Sequence, residues 1–276
     1  MTRVALATCA ELPELDEDDA PLVAALAARD VEAVPAVWDD PAVDWTAFDL
    51  VVLRSTWDYA ERRDAFLAWG RTLPHVANPV SVLEWNTDKE RYLTDLQTAG
   101  VPIVPTRFIE RGDALDLPGG RFVVKPSISA GGRRSARFAP DEHDAAAGLV
   151  ARIHDEGRVA MVQPLVDDVD ETALVYIEGA FSHALRRRVP LPPRQERAVL
   201  YLDEQLAPAT AAPDELDIGA AAMACAPGSL LYGRVDLIGG MVLELELAEP
   251  SLYLAFGDGA VDRLARAVAS RIAPVR

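Results

Sequence analysis

Cysteine is scarce in this chain: Cys9 and Cys225 are the only two in 276 residues. They lie far apart and neither has metal-site spacing, which argues against a disulfide framework and fits a reducing cytoplasm. Histidine is also sparse, with four residues. His143 and His154 fall on or near one helical stretch with no second ligand at metal spacing, so both read as surface residues. Basic residues are outnumbered, 27 against 44 acidic ones, for a net charge of −17. Nucleic acid and anionic membranes are therefore disfavoured as partners, because each needs a basic face. A small anionic ligand stays open, since it feels only the local field. No window is apolar for long enough to span a membrane. The N-terminal apolar run turns acidic at once, as a first strand does and a signal peptide does not. No internal repeat is present. What is abundant is apolar bulk, 50% of the residues, enough for one large domain or two to three smaller ones.

Taken in order, residues 4–8 read as a buried parallel strand, 21–29 as a helix, 31–38 as a second strand and 50–53 as a third. Strand, helix, strand is a βαβ unit, so residues 1–80 form a small parallel α/β lobe. The first loop, Cys9-Ala10-Glu11-Leu12-Pro13, lacks the glycines of a dinucleotide fingerprint, which argues against a dehydrogenase. The third strand runs into Arg54-Ser55-Thr56-Trp57-Asp58-Tyr59. Ligands of open α/β sheets sit at strand carboxyl ends, so Arg54, Ser55, Asp58 and Tyr59 are candidates to hold a polar substrate. Asp58 as a helix N-cap before residues 61–69 is the structural alternative. Residues 81–99 read as one long helix, with Gly100 as its stop. A second unit follows over 81–165 and a third over 166–276, both mixed α and β. The segment 190–213 is long, charged and proline-rich, and reads as a flexible or functional loop.

Two stretches carry chemistry. In the first, residues 121–137, an apolar strand ends in Lys125 and Pro126. A small-residue loop then contains Ser129, Gly131 and Gly132, and Arg133, Arg134 and Arg137 follow. Free N–H groups in such a loop cradle phosphate oxygens, and a lysine adds a point charge. Strand, turn and solvated basic hairpin is the plainer reading. The second stretch is a hairpin over residues 230–247 that turns at Gly239-Gly240. Asp236 lies on one strand; Glu244 and Glu246, two apart, point to one face of the other. Oxygen ligands of this kind suit Mg²⁺, with Glu249 as a further candidate. The alternative is an amphipathic hairpin with its acidic face in water.

Together these residues resemble the ATP-grasp superfamily. Lys89, after Asn86-Thr87-Asp88, resembles that family's first nucleotide lysine. Lys125 and the glycine loop resemble its second lysine and mobile phosphate-covering lid. Gln163-Pro164-Leu165 is similar to the linker whose backbone reads adenine, and Glu171 falls near the ribose-binding acid, with Asp168 and Asp170 as competitors. Arg234-Val235-Asp236 is similar to the Arg-x-Asp of D-alanine–D-alanine ligases. The strand 242–246 resembles the Glu-x-Asn metal strand, with Glu246 where Asn is usual. The segments 54–59, 182–186 and 244–251 resemble the group that includes the O-ureido-serine cyclo-ligases of cycloserine biosynthesis.

The resemblance implies an ATP-grasp fold and an ATP- and Mg²⁺-dependent ligase that activates a carboxylate as an acylphosphate for a nitrogen nucleophile. Ring closure within one amino-acid-like molecule and joining of two molecules are both consistent with it, as is a nucleotide-binding protein without catalysis. It implies Lys89, Lys125, Ser129, Gly131, Gly132, Gln163, Leu165 and Glu171 at ATP, and Asp236, Glu244 and Glu246 at the metal. Arg234 would face the oxyanion, and Arg186 the γ-phosphate or the carboxylate. Apolar strands in the first lobe are compatible with a homodimer.

Overall fold

A computed structural model describes residues 2–131, 134–166, 170–188 and 204–272. The chain opens with four parallel strands, β1 (Thr2–Thr8), β2 (Val31–Val37), β3 (Leu50–Leu53) and β4 (Val76–Ala77), in the order β2-β1-β3-β4. Helices α1 (Ala20–Ala27) and α2 (Arg63–Thr72) connect them. The βαβ reading of this region holds. A 3-10 turn, Tyr59–Glu61, precedes α2, and Asp58 makes no capping bond there. Its carboxylate instead accepts from the Trp38 indole at 2.8 Å and pairs with Arg62.

The single helix expected over residues 81–99 is two helices, α3 (Val80–Asn86) and α4 (Lys89–Thr98). The break has a local cause. Asp88 is extended, and its carboxylate accepts from the Glu90 N–H, so it caps a new helix. Lys89 thereby becomes the first residue of α4.

Four antiparallel strands follow: β5 (Arg107–Ile109), β6 (Phe122–Pro126), β7 (Ala136–Phe138) and β8 (Ala160–Pro164), ordered β5-β8-β6-β7. Helix α5 (His143–Asp155) covers them, and the two share a core of Phe122, Val124, Leu149, Ile153 and Val162. A third sheet is antiparallel and ordered β11-β10-β9-β12-β13. Its strands are β9 (Glu171–Ile177), β10 (Ala180–Arg188), β11 (Gln205–Ala209), β12 (Tyr232–Ile238) and β13 (Met241–Glu246). Helix α6 (Pro213–Ala224) precedes β12, and α7 (Ala260–Ser270) closes the described chain. Strand β11 lies within the segment read as a loop. It carries Pro208 and sits at the sheet edge, the one place in a sheet that tolerates proline. Residues 190–203 of that segment lie outside the described residues. Gly239 and Gly240 both adopt positive φ, as a two-residue turn between β12 and β13 requires. No helix among the described residues is long and apolar enough to cross a membrane.

The first and third sheets share one core. Leu6, Leu22 and Leu26 pack in the same cluster as Val175, Leu185, Leu231, Leu264 and Val268. Two asparagine amides tie the region after β4 to the third sheet. Asn86 donates to the Leu245 carbonyl and accepts from the Leu247 N–H, at 2.8 and 2.7 Å. It thus covers the exposed edge of β13 as a strand would. Asn78, fully buried, donates to the Tyr232 and Leu247 carbonyls and accepts from the Leu231 N–H, all within 2.9 Å. Asn78→Ala leaves three buried backbone groups unpaired and is expected to cost about 2–4 kcal/mol of stability, measured by urea unfolding.

Candidate active site

The register of the third sheet decides which side chains meet. Arg187 lies opposite Glu171, Arg234 opposite Glu246, and Asp236 opposite Glu244. All six therefore share one face. The other face buries Leu174, Tyr176, Val235, Leu237 and Leu245, with Ala222 and Met223 of α6 in the same cluster. The charged face forms one wall of a cleft. Lys125 and Gln163 of the central sheet contribute to it, as do Lys89 and Tyr92 of α4, and Trp57 and Tyr59 after β3. The glycine loop contributes Ser129, Ala130 and Gly131.

Charges in the cleft are tightly paired. Asp236, 2% exposed, accepts from Arg187 at 2.7 Å and from Arg234 at 2.8 and 3.0 Å. Arg187 also reaches Glu204 at 2.9 Å and Glu171 at 3.7 Å, and Arg234 reaches Glu246 at 2.7 Å. Both guanidinium groups lie over the Tyr253 ring, whose hydroxyl donates to Glu204. Lys125 donates to Glu244 at 2.6 Å. Lys89 donates to the Ser129 carbonyl at 2.8 Å, holding the glycine loop. Asp236 is buried and Glu244 and Glu246 line the cleft, so the hairpin's acidic face is not simply in water.

Four cations and six carboxylates line the cleft, and their titration follows from that balance. Burial opposes the charge of Glu244, yet Lys125 and Lys89 hold its carboxyl well below the usual range. Burial pushes Glu246 up to about 7, with Arg234 opposing and Asp236 and Glu244 adding to the rise. Glu171 reaches about 7 through burial, against the pull of Arg187. Glu249 reaches about 8 through burial and the nearby Glu246 carboxylate. Burial alone would lower Arg187 and Arg234, but Asp236 keeps both charged. The donor set is all oxygen, which fits Mg²⁺ better than a softer ion. Among the described residues no three carboxylate, imidazole or thiol side chains converge as a ready cage. Mg²⁺ needs only one or two carboxylates when phosphates supply other oxygens, so the residues present fit it.

Several expected site residues stand elsewhere. Arg54, 1% exposed, donates to Asp19 at 2.8 Å and to the Pro250 carbonyl at 2.9 Å, under the Tyr232 ring. It braces the segment after β13 and does not line the cleft. Ser55 is taken up by Asp19 and the Asp16 N–H. Asp58 is taken up by Trp38 and Arg62, which leaves Tyr59 as the member of that group in the cleft. Arg186 points to the opposite sheet face, where it pairs with Glu215 of α6 at 3.0 Å, and Arg187 lines the cleft instead. Leu165 is outside the lining, and its N–H donates to the Arg121 carbonyl. Gln163 lines the cleft with its amide on Thr106. Gly132, Arg133 and Asp168 lie outside the described residues. Of the loop arginines, Arg134 pairs with Glu156, and Arg137 is exposed on β7. Sequence reasoning missed Arg187, Trp57 and Tyr253. The Arg186-Arg187-Arg188 run signalled the first, but only the register selects among the three.

Residues 4–80 match the family model described as D-cycloserine synthetase DcsG, N-terminal domain. The cycloserine biosynthesis protein DcsG of Streptomyces lavendulae is 37% identical over 298 aligned positions, spanning 98% of this chain and 99% of that protein. The crystal structure of D-cycloserine synthetase DcsG superposes with a TM-score of 0.87 at 32% identity, covering 98% of this chain and all of that one. D-alanine–D-alanine ligase of Bacillus anthracis shares the fold, with a TM-score of 0.68 at 14% identity over 98% of this chain and 97% of the ligase. So does the ATP-grasp ligase PsnB, with a TM-score of 0.64 at 18% identity over 98% of both chains. The chain therefore belongs to the DcsG family of ATP-grasp ligases.

Proposed function

We propose that this ATP-dependent ligase closes a ring, activating the carboxylate of O-ureido-D-serine so that the substrate's own nitrogen displaces phosphate and D-cycloserine results. The observation that carries this reading is the convergence of Lys125, Arg187 and Arg234 in one cleft, in a chain that shares nearly its full length with DcsG. The carboxylate attacks the γ-phosphorus of ATP, giving an acylphosphate and ADP. The nitrogen attached to oxygen then attacks the acyl carbon and phosphate leaves. Hydrolysis of the carbamoyl group completes the product. Such a reaction asks the protein for positioning and charge neutralisation more than for covalent help.

In this reading Lys89 and Lys125 hold phosphate oxygens, and the glycine loop covers them and excludes water from the acylphosphate. Arg187 meets the γ-phosphate or the substrate carboxylate. Arg234 steadies the oxyanion of the tetrahedral intermediate, its fork already fixed by Asp236. Gln163 and Glu171 border the nucleoside. Asp236, Glu244 and Glu246 would hold Mg²⁺, which supplies charge neutralisation at the β- and γ-phosphates.

Phosphate release from ATP with O-ureido-D-serine, with product mass read by mass spectrometry, tests the reading. Turnover only when a second amine is added would replace ring closure by intermolecular ligation. Lys125→Ala is expected to lower kcat/KM by about 100-fold or more with unchanged far-UV circular dichroism. Arg187→Lys keeps the charge but loses the fork, and is expected to cost about 10- to 100-fold in turnover. Arg186→Ala should stay within about threefold of wild type; the reverse ranking would return the role to Arg186.

A pH dependence follows from the same carboxylates. Glu171 and Glu246 at about 7 and Glu249 at about 8 keep protons in the folded chain that the unfolded chain has lost. Stability that is full below their unfolded values is lost as pH rises through 7 to 8. Burial pushes His183 below its ordinary 6.5, so its opposite contribution is complete below this window. The melting temperature of the ligand-free protein should therefore fall between pH 6.5 and 8.5. ATP with Mg²⁺ should reduce that fall, because a bound cation favours ionised carboxylates. A flat ligand-free profile would contradict this electrostatic description.

A further inference from the structure

Five of the six carboxylates facing the cleft carry the ion pairs described above, and Glu249 is the sixth. Among the described residues its side chain has no ion pair and no hydrogen bond to another residue. Lys89 and Arg234 act on it only at longer range. The first is engaged by the Ser129 carbonyl and the second by Asp236, Glu246 and the Ser251 carbonyl.

Its position is nevertheless fixed. The Trp57 indole donates to the Glu249 carbonyl at 2.9 Å, and Arg54 holds the next carbonyl, that of Pro250. Trp57 and Tyr59 line the same cleft as Glu249. In the free protein burial keeps the Glu249 proton on up to about pH 8; a cation meeting the carboxylate in the cleft would hold it ionised, which a neutral donor would not. A carboxylate next to aromatic rings is the chemistry that recognises an ammonium group.

We infer that Glu249 binds the α-ammonium of the amino-acid substrate, with Trp57 and Tyr59 beside it. The inference rests on the ligase reading above and adds the group that selects the substrate class. An α-amino acid is a zwitterion: its carboxylate suits Arg187 and Arg234, and its ammonium suits Glu249. Two opposed anchors fix how the carboxylate is presented to the γ-phosphate. They also make the enzyme selective for free amino acids over deaminated or N-acylated ones.

The test compares O-ureido-D-serine with its deaminated analogue, 3-(ureidooxy)propanoate, in wild type, E249Q and E249D, following phosphate release. In wild type the amino substrate should be favoured in kcat/KM by about 10- to 100-fold, the worth of one charged hydrogen bond. E249Q should raise KM for the amino substrate by a similar factor and leave the KM for ATP within about twofold. It should narrow the preference to less than about threefold, and E249D should restore part of it. Equal slowing of both substrates by E249Q would overturn the inference, since Glu249 would then serve another group. A tenfold higher Mg²⁺ requirement with the preference intact would also overturn it, by making Glu249 a metal ligand. Wild-type ATP turnover with neither compound would instead defeat the ring-closure reading. In that case the same comparison, run with whichever amino acid supports turnover and its deaminated analogue, decides the role of Glu249.

Discussion

Two buried arginines share one buried aspartate, and the third sheet is arranged around that fact. Asp236, Arg187 and Arg234 have almost no access to water. Taking three charges out of solvent is compensated only where each finds good partners. Neighbouring strands supply them: Glu171 on β9, Glu246 on β13 and Glu204 just before β11, with Tyr253 beneath both guanidinium groups. Register is fixed twice as a result. A slip of one residue would carry the arginines into the apolar face against α6 and turn Val235 and Leu245 toward the charges.

The first lobe supports this arrangement from outside. Arg54 with Asp19, the Asp18 carboxylate on the Leu254 N–H, and the Trp57 indole on the Glu249 carbonyl all reach the segment after β13. That segment carries Glu249, Ser251 and Tyr253 into the cleft. The acidic loop at residues 11–19 thus helps position the wall of the site. The residues after β3 divide the work: Arg54, Ser55 and Asp58 hold structure, while Trp57 and Tyr59 face the cleft.

Much of this was legible in the sequence, for identifiable reasons. The parallel lobe follows from short apolar runs separated by a helix. The Gly-Gly turn makes the hairpin and sets Asp236 across from the pair Glu244 and Glu246. Lys125 ends a buried strand, so its amine had to leave the core near that strand's end. What failed needed information beyond the local pattern. The choice between Arg186 and Arg187 depends on pairing with β9, which no local pattern encodes. Arg54 looked like a ligand because it ends a strand, but its partner Asp19 lies 35 residues earlier. The helix break at Asp88 was locally encoded by a capping residue, and the long apolar periodicity around it masked the signal.

The shared core of the first and third sheets has a mechanical consequence. With Leu22 and Leu26 packed in one cluster with Leu264 and Val268, those two lobes cannot rotate against each other without opening an apolar seam. The central sheet and α5 have their own cluster, and much of their attachment is polar: Lys125 to Glu244, the Lys89 N–H to the Ser127 carbonyl, and Arg158 to the Ala60 carbonyl. The first and third sheets thus act as one base, and the central unit joins it through these polar ties and through Met161 and Phe108, which pack with Leu174 and Tyr176 of the third sheet.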